Sequence, residues 1–173
     1  MAIRTVEGFD ENEALRLAAS LERGSEHPLA AAILESAKEK GLETAPVSDF
    51  DAPSGKGVSG KVESRTILLG NAELLREGGV DLGALEEQAD ELRKTGATTV
   101  FIAVDGKSVG FVAVADPVKE TTPEAVRRLK AEGIRVVMLT GDNRTTAKAV
   151  AERVGVDEVE AGVLPADKSR IVS

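Results

Sequence analysis

The sequence predicts an α/β protein in which an α+β segment built on an antiparallel sheet, residues 1–115, is followed by a shorter parallel α/β segment, residues 116–173. Three observations carry this expectation. Helical periodicity dominates residues 11–41. Short apolar runs between turn residues replace it from 45 to 115. After Asp116-Pro117 the order becomes helix, strand, helix, strand, the signature of a parallel sheet.

Taken in order, Ala14, Leu15, Leu17, Ala18 and Leu21 recur at helical spacing between Glu11 and Arg23, and Gly24 is placed to end that helix. Ser25-Glu26-His27-Pro28 starts a second helix through Ala30, Ile33, Leu34 and Ala37 to Gly41, with Ser25 as the expected cap. Val58 to Val62 and Thr66 to Leu69 read as antiparallel strands. Asn71 to Arg76 reads as a short helix and Leu85 to Lys94 as a longer one. Thr98 to Val104 and Ser108 to Ala115 flank Asp105-Gly106-Lys107, a strong hairpin signal.

Beyond Asp116, Thr122-Pro123 opens a helix to Ala131. Ile134 to Leu139 is almost continuously apolar and β-branched, as expected of a strand buried on both faces. It stops at Thr140-Gly141-Asp142-Asn143, where Asn143 caps a helix carrying Ala147, Val150, Ala151 and Val154. A short strand near Glu158 to Ala161 and a helix start at Pro165 follow. Two parallel strands do not cover both faces of a sheet, so this segment is expected to need strands lying outside the sequence.

Hydrophobic residues make up 42% of the chain but aromatic ones only 2%, so the core is aliphatic. A net charge of -8 argues against nucleic acid or an anionic membrane as partner. Without cysteine there is neither a disulfide framework nor a thiolate metal site, and no metal-binding residues are expected. No apolar run approaches the length of a bilayer span, and the N-terminus is not a signal peptide, so a soluble, cytosolic chain that is not membrane-inserted is expected.

Several residues stand out chemically. His27 is the single histidine; its ring suits stacking on a planar ligand, while Glu22 suits accepting a hydrogen bond from that ligand's amino group, and adenine fits both. Gly55-Lys56-Gly57-Val58-Ser59-Gly60-Lys61 matches two phosphate-loop patterns by letter and fails both: a strand rather than a helix follows, and Val62 replaces the hydroxyl that would hold magnesium. What remains is backbone free of side chains, open to a flat ligand, with Lys56 and Lys61 offsetting an acidic surface. Gly70-Asn71 ends a strand and caps a helix. Thr140 sits at the carboxyl end of a parallel strand, where open α/β sheets bind ligands. Lys168, in Pro165-Ala166-Asp167-Lys168, begins a helix near the same edge.

Together these stretches, in this order, resemble the heavy-metal-transporting P-type ATPases, the copper-transporting branch most of all. Ser25-Glu26-His27-Pro28-Leu29 joined to a downstream Thr140-Gly141-Asp142 is the specific part, and the resemblance covers nearly the whole chain. It implies that residues 1–115 are a nucleotide-binding domain, with Glu22, His27, Gly55, Gly57, Gly70 and Asn71 around the adenosine of ATP. Residues 116–173 would be part of a phosphorylation domain of haloacid-dehalogenase type, with Thr140, Gly141, Asp142 and Lys168 beside the phosphoryl group. ATP with Mg2+ is the implied ligand. The implied partners are the actuator and transmembrane domains of the same pump, with this portion on the cytoplasmic side.

Two family motifs do not occur: Asp-Lys-Thr-Gly-Thr, which bears the phosphorylated aspartate, and Gly-Asp-Gly-x-Asn-Asp, which helps hold magnesium. The chain alone is therefore expected to bind ATP without forming the aspartyl-phosphate. The alternatives are a stand-alone phosphatase of the dehalogenase superfamily using Asp116, and a non-catalytic nucleotide-binding module.

Overall fold

The computed structural model describes residues 1–25, 27–115 and 118–163. Packing divides the chain into two compact units, Met1–Ala89 with Thr99–Val114, and Asp90–Thr98 with the described residues from Ala115 on. Residues 90–98, which precede the boundary read from the sequence, thus group with the second unit.

The first unit is organised around a six-stranded sheet. Its elements are β1 (Ala2–Thr5), α1 (Glu11–Glu22), α2 (Pro28–Glu39), β2 (Val47–Asp51), β3 (Gly57–Val62), β4 (Arg65–Gly70), α3 (Ala72–Glu77), α4 (Ala84–Arg93), β5 (Thr98–Val104) and β6 (Lys107–Val114). The strand order is β1-β6-β5-β4-β3-β2. The β1–β6, β2–β3, β3–β4 and β4–β5 pairs are antiparallel. Both central residues of the Asp105-Gly106 turn have positive φ, 49° and 77°, matching the right-handed twist of the hairpin it closes.

Alternation along the strands sorts side chains to two faces. Val58, Val62, Ile67, Leu69, Ile102 and Val112 pack with Leu15, Leu17 and Leu21 of α1 and Leu29 and Ile33 of α2 in one aliphatic core. On β5 and β6, Phe101 and Phe111 meet edge to ring, centroids 6.2 Å apart. Leu15, Leu17, Ile33 and Ile67 are completely buried, and each such side chain stabilises the fold by about 1.5–3 kcal/mol relative to exposure.

Among the described residues of the second unit the elements are α5 (Thr122–Ala131), β7 (Val137–Leu139), α6 (Arg144–Val154) and β8 (Glu158–Glu160), with β7 paired in parallel with β8. Asn143 caps α6 as expected, its Oδ1 accepting from the Thr146 N–H at 3.1 Å.

Two expectations need correction. The cap of α2 is His27, not Ser25: Nδ1 of the imidazole accepts from the Leu29 N–H at 3.2 Å, and Ser25 Oγ instead accepts from the His27 N–H at 3.3 Å. The run from Ile134 to Leu139 is not a strand buried on both faces. Only Val137–Leu139 is extended, Ile134 is 50% exposed and Val137 43% exposed. Ile134 belongs to the end of α5, where Gly133 takes φ 76° and the Ile134 N–H donates to the Leu129 carbonyl, a Schellman cap with an apolar residue after the glycine. The strands β1 and β2, which sequence reading did not identify, complete the first sheet at its edges.

Candidate functional site

The adenosine-site candidates all fall in the first unit. Helix α1 begins beside the β3–β4 turn, where Arg16 Nη2 is 2.8 Å from Glu63 Oε2. Five residues on, Leu21 occupies the space that a Cβ on Gly60 would need, its Cδ2 3.1 Å away. The helix therefore runs along β3 from the β3–β4 turn toward Gly60, with Glu22 following Leu21 at its end. Glu22 is 6% exposed, and its Oε2 has no hydrogen-bond partner. A buried carboxylate oxygen without a donor is costly. His27 is exposed, and its Nδ1 is held by the Leu29 N–H.

Gly55, Gly57, Gly70 and Asn71 come together. Gly57 pairs with Gly70 across β3–β4. A Cβ at Gly57 would lie 2.2 Å from the Leu69 carbonyl oxygen, and one at Gly70 would lie 2.3 Å from that of Lys56. Backbone crowding within the protein thus requires both glycines, whatever a ligand asks. Asn71 caps α3, its Oδ1 accepting from the Leu74 N–H at 3.0 Å, while its Nδ2 donates to the Gly55 carbonyl at 3.1 Å. One side chain locks the helix start to the loop.

The two lysines expected to soften an acidic surface are engaged by carboxylates of this chain. Lys61 pairs with Asp49 at 2.8 Å, and Lys56 reaches Glu77 at 2.6 Å and Glu73 at 2.9 Å. Hydrogen bonds from Lys56 first to Glu77 and then to Glu73 hold its ammonium above the ordinary lysine range. On the sheet's far flank, Arg16, and Arg65 with it, holds the Glu13 carboxyl below the usual carboxylate range. A groove of about 470 Å³ in this unit, lined by Val6, Asp81, Leu82, Leu85 and Ser108 among others, contains none of the predicted residues.

In the second unit the turn after β7 is a closed hydrogen-bonded loop. Thr140 Oγ1 donates to Asp142 Oδ2 at 2.8 Å and accepts from the Asp142 N–H at 3.1 Å. Thr98 Oγ1 donates to the other carboxylate oxygen, Oδ1, at 2.8 Å. Thr146, buried, donates to the Ala97 carbonyl at 2.8 Å, so residues 97 and 98 are fastened to the start of α6. A Cβ at Gly141 would meet only ordinary van der Waals contact, the nearest atom being the Val163 carbonyl oxygen at 3.6 Å. Asp142 is thus the anchor that orients the Thr140 hydroxyl. Sequence reasoning missed Thr98, since no motif links it to a turn 44 residues away. Lys168 and Asp116 lie outside the described residues.

Among the described residues no group of three or more His, Asp or Glu side chains is placed to hold a metal ion. Both oxygens of Asp142 accept from threonine hydroxyls, Oδ1 from Thr98 and Oδ2 from Thr140. No helix among the described residues is long and apolar enough to cross a membrane.

The haloacid dehalogenase-like hydrolase family matches residues 4–173. A copper-exporting P-type ATPase of Legionella pneumophila is 53% identical over 165 residues, which cover 95% of this chain and 22% of that protein. The crystal structure of a zinc-transporting PIB-type ATPase superposes with a TM-score of 0.66 at 32% identity, covering 99% of this chain and 28% of that one. A CPx-ATPase catalytic domain, solved to follow its conformational changes upon nucleotide binding, gives a TM-score of 0.66 at 25% identity over 98% of this chain and 59% of that one. The chain spans about a fifth of the length of the curated relatives it matches.

Proposed function

Because the chain belongs to the haloacid dehalogenase-like hydrolases, and its relatives are metal-exporting P-type ATPases, we propose that it is the ATP-binding catalytic portion of a heavy-metal pump with monovalent copper as cargo. The first unit holds the nucleotide. The His27 ring stacks on adenine, the Glu22 carboxylate accepts from its exocyclic amino group, and the backbone at Gly55, Gly57, Gly70 and Asn71 forms the floor. In the intact pump the γ-phosphoryl passes to an aspartate outside this chain, with Thr140, Gly141, Asp142 and Lys168 beside it. Asp142 keeps its bond to Thr98 when the Thr140 hydroxyl turns from it toward a phosphoryl oxygen, so the turn holds its shape as charge is transferred. Mg2+ would enter with the nucleotide and supply charge neutralisation at its phosphates. The remaining domains of the pump, actuator and transmembrane, are the partners, and this portion works on the cytoplasmic side.

The observation that carries the reading is the buried, unpartnered Oε2 of Glu22 at the turn that leads to an exposed imidazole held at Nδ1. A stacked ring contributes about 1–3 kcal/mol and each hydrogen bond a net of roughly 1. A total of about 4–6 kcal/mol corresponds to dissociation constants of roughly 0.1–1 mM. Titrating the chain with ATP and with GTP tests this: adenine selectivity that disappears in Glu22→Ala, which removes the acceptor, supports it, whereas equal affinity for both nucleotides in the unaltered chain contradicts it. Magnesium-dependent phosphatase turnover by the purified chain, abolished in Asp116→Asn, would replace the pump reading with a stand-alone phosphatase.

A further inference from the structure

Lys56 stands between the two glycines of the loop, and its side chain reaches back into the protein. Its Nζ bridges Glu73 and Glu77, two carboxylates one helical turn apart on the same face of α3. The main chain is tied at the same point, since the Lys56 carbonyl accepts from the Asn71 N–H at 2.8 Å and the Lys56 N–H donates to the Pro53 carbonyl at 3.1 Å. These ties differ in what they require. The backbone bonds need no particular side chain at 56, whereas the bridge to α3 needs a long cation. Lys56 is also the more sheltered partner, 28% exposed against 62% for Glu73 and 55% for Glu77.

The loop has reason to need a second fastening. Gly55 is exposed with φ 74° and Gly57 has φ 140°, conformations that cost entropy to hold because glycine has many others. A binding surface pre-set in its bound shape loses less on association. One isolated surface ion pair contributes little, but a cation shared by two carboxylates also suppresses the repulsion those carboxylates would feel at i, i+4.

We propose that Lys56 is a positioning residue for nucleotide binding: clamped between Glu73 and Glu77, it holds the Gly55–Gly57 loop in the shape against which adenosine lies, and it does not contact the phosphates. This rests on the nucleotide reading above and deepens it. A residue that shapes the floor affects adenosine and ATP alike. A phosphate ligand affects ATP alone.

The test uses the whole chain as Lys56→Met, Lys56→Arg, the Glu73→Gln/Glu77→Gln pair and the combination of that pair with Lys56→Met. Dissociation constants for ATP and adenosine are measured beside amide hydrogen exchange at Gly57 and Asn71 in the ligand-free protein. Lys56→Met is expected to weaken both ligands by the same factor, about threefold, and to speed loop exchange comparably. The glutamine pair should do the same, the combination should add nothing further, and Lys56→Arg should restore most of the loss. Weakened ATP with unchanged adenosine overturns the proposal in favour of direct phosphate contact, and unchanged affinity and exchange show that the bridge holds nothing. An unaltered chain that binds neither ligand, while Lys56→Met still loosens the loop, overturns the nucleotide reading and leaves the clamp standing.

Discussion

The two units of this chain treat their apolar residues in opposite ways. In the first, six strands carry a core in which Leu15, Ile33, Ile67 and Ile102 are fully buried. Among the described residues of the second, Val137 on β7 is 43% exposed and Ile134 at the end of α5 50% exposed, and the buried apolar side chains of the helices are Val126, Ala147, Ala151 and Val154. A parallel pair offers each strand one neighbour, so an apolar sequence that would be interior in a wider sheet lies at the surface. The contrast means that the residues proposed to receive the nucleotide rest on a buried aliphatic core, while the Thr140 turn owes its order to hydrogen bonds more than to burial.

Replacing a core residue is the strongest way to break that contrast. Ile102→Ala should destabilise the first unit by about 2–5 kcal/mol, whereas Val137→Ala, at an exposed strand position, should change the second unit by less than about 0.5 kcal/mol. Urea unfolding followed by NMR signals assigned to each unit reads the two effects separately. A comparable loss from Val137→Ala would mean that the second unit has a packed core after all.

Next in size is the proposed nucleotide site itself. His27→Asn keeps a side-chain acceptor for the Leu29 N–H, since asparagine is a strong N-cap, but removes the ring. ATP affinity should fall about tenfold with the melting of α2 unaffected. Undiminished affinity would reduce the imidazole to a helix cap.

In the second unit, Thr98→Val deletes the donor to Asp142 Oδ1 and should cost about 1 kcal/mol in that unit's unfolding transition. Shifts of the Thr140 and Asp142 amides would accompany it. An unchanged turn would show that burial, not this bond, orders it.

The smallest effect is electrostatic. The Glu13 carboxyl, held low by Arg16 and Arg65, binds its proton more weakly folded than unfolded. It therefore contributes stability that is present above the unfolded carboxylate value of about 4.3 and is lost as pH falls through the lower folded value. Comparing unfolding at pH 7 and pH 3, Glu13→Gln should remove part of the first unit's acid sensitivity and leave the second unit's unchanged.

Much of this arrangement was legible in the residues because it is local. Leu15, Leu17 and Leu21 announce α1 by their spacing, Asp105-Gly106 announces its hairpin, and Asn71 and Asn143 announce the helices they cap. The edge strands were not legible. In β1 only Ile3 is buried, and β2 is broken by a bulge with Asp49 at φ 52°, so neither alternates. The cap of α2 was misread because a ring nitrogen replaced the expected hydroxyl two residues earlier. Ile134 was misread because an apolar residue serves a helix end as well as a strand. At the site, the glycines and caps could be named from their chemistry, but the partners of Lys56 and Thr98 lie far along the chain and exist only through tertiary structure.

The nucleotide reading requires a purine against the His27 ring and the Gly55–Gly57 backbone. An NMR titration of the whole chain with ATP, following backbone amides and the His27 ring protons, is the direct measurement. Saturable shifts at His27, Gly55, Gly57 and Asn71, with a dissociation constant of roughly 0.1–1 mM and an upfield move of the imidazole protons from ring stacking, are the predicted result. Shifts confined to other surfaces, or none at these residues at several millimolar ATP, would contradict it.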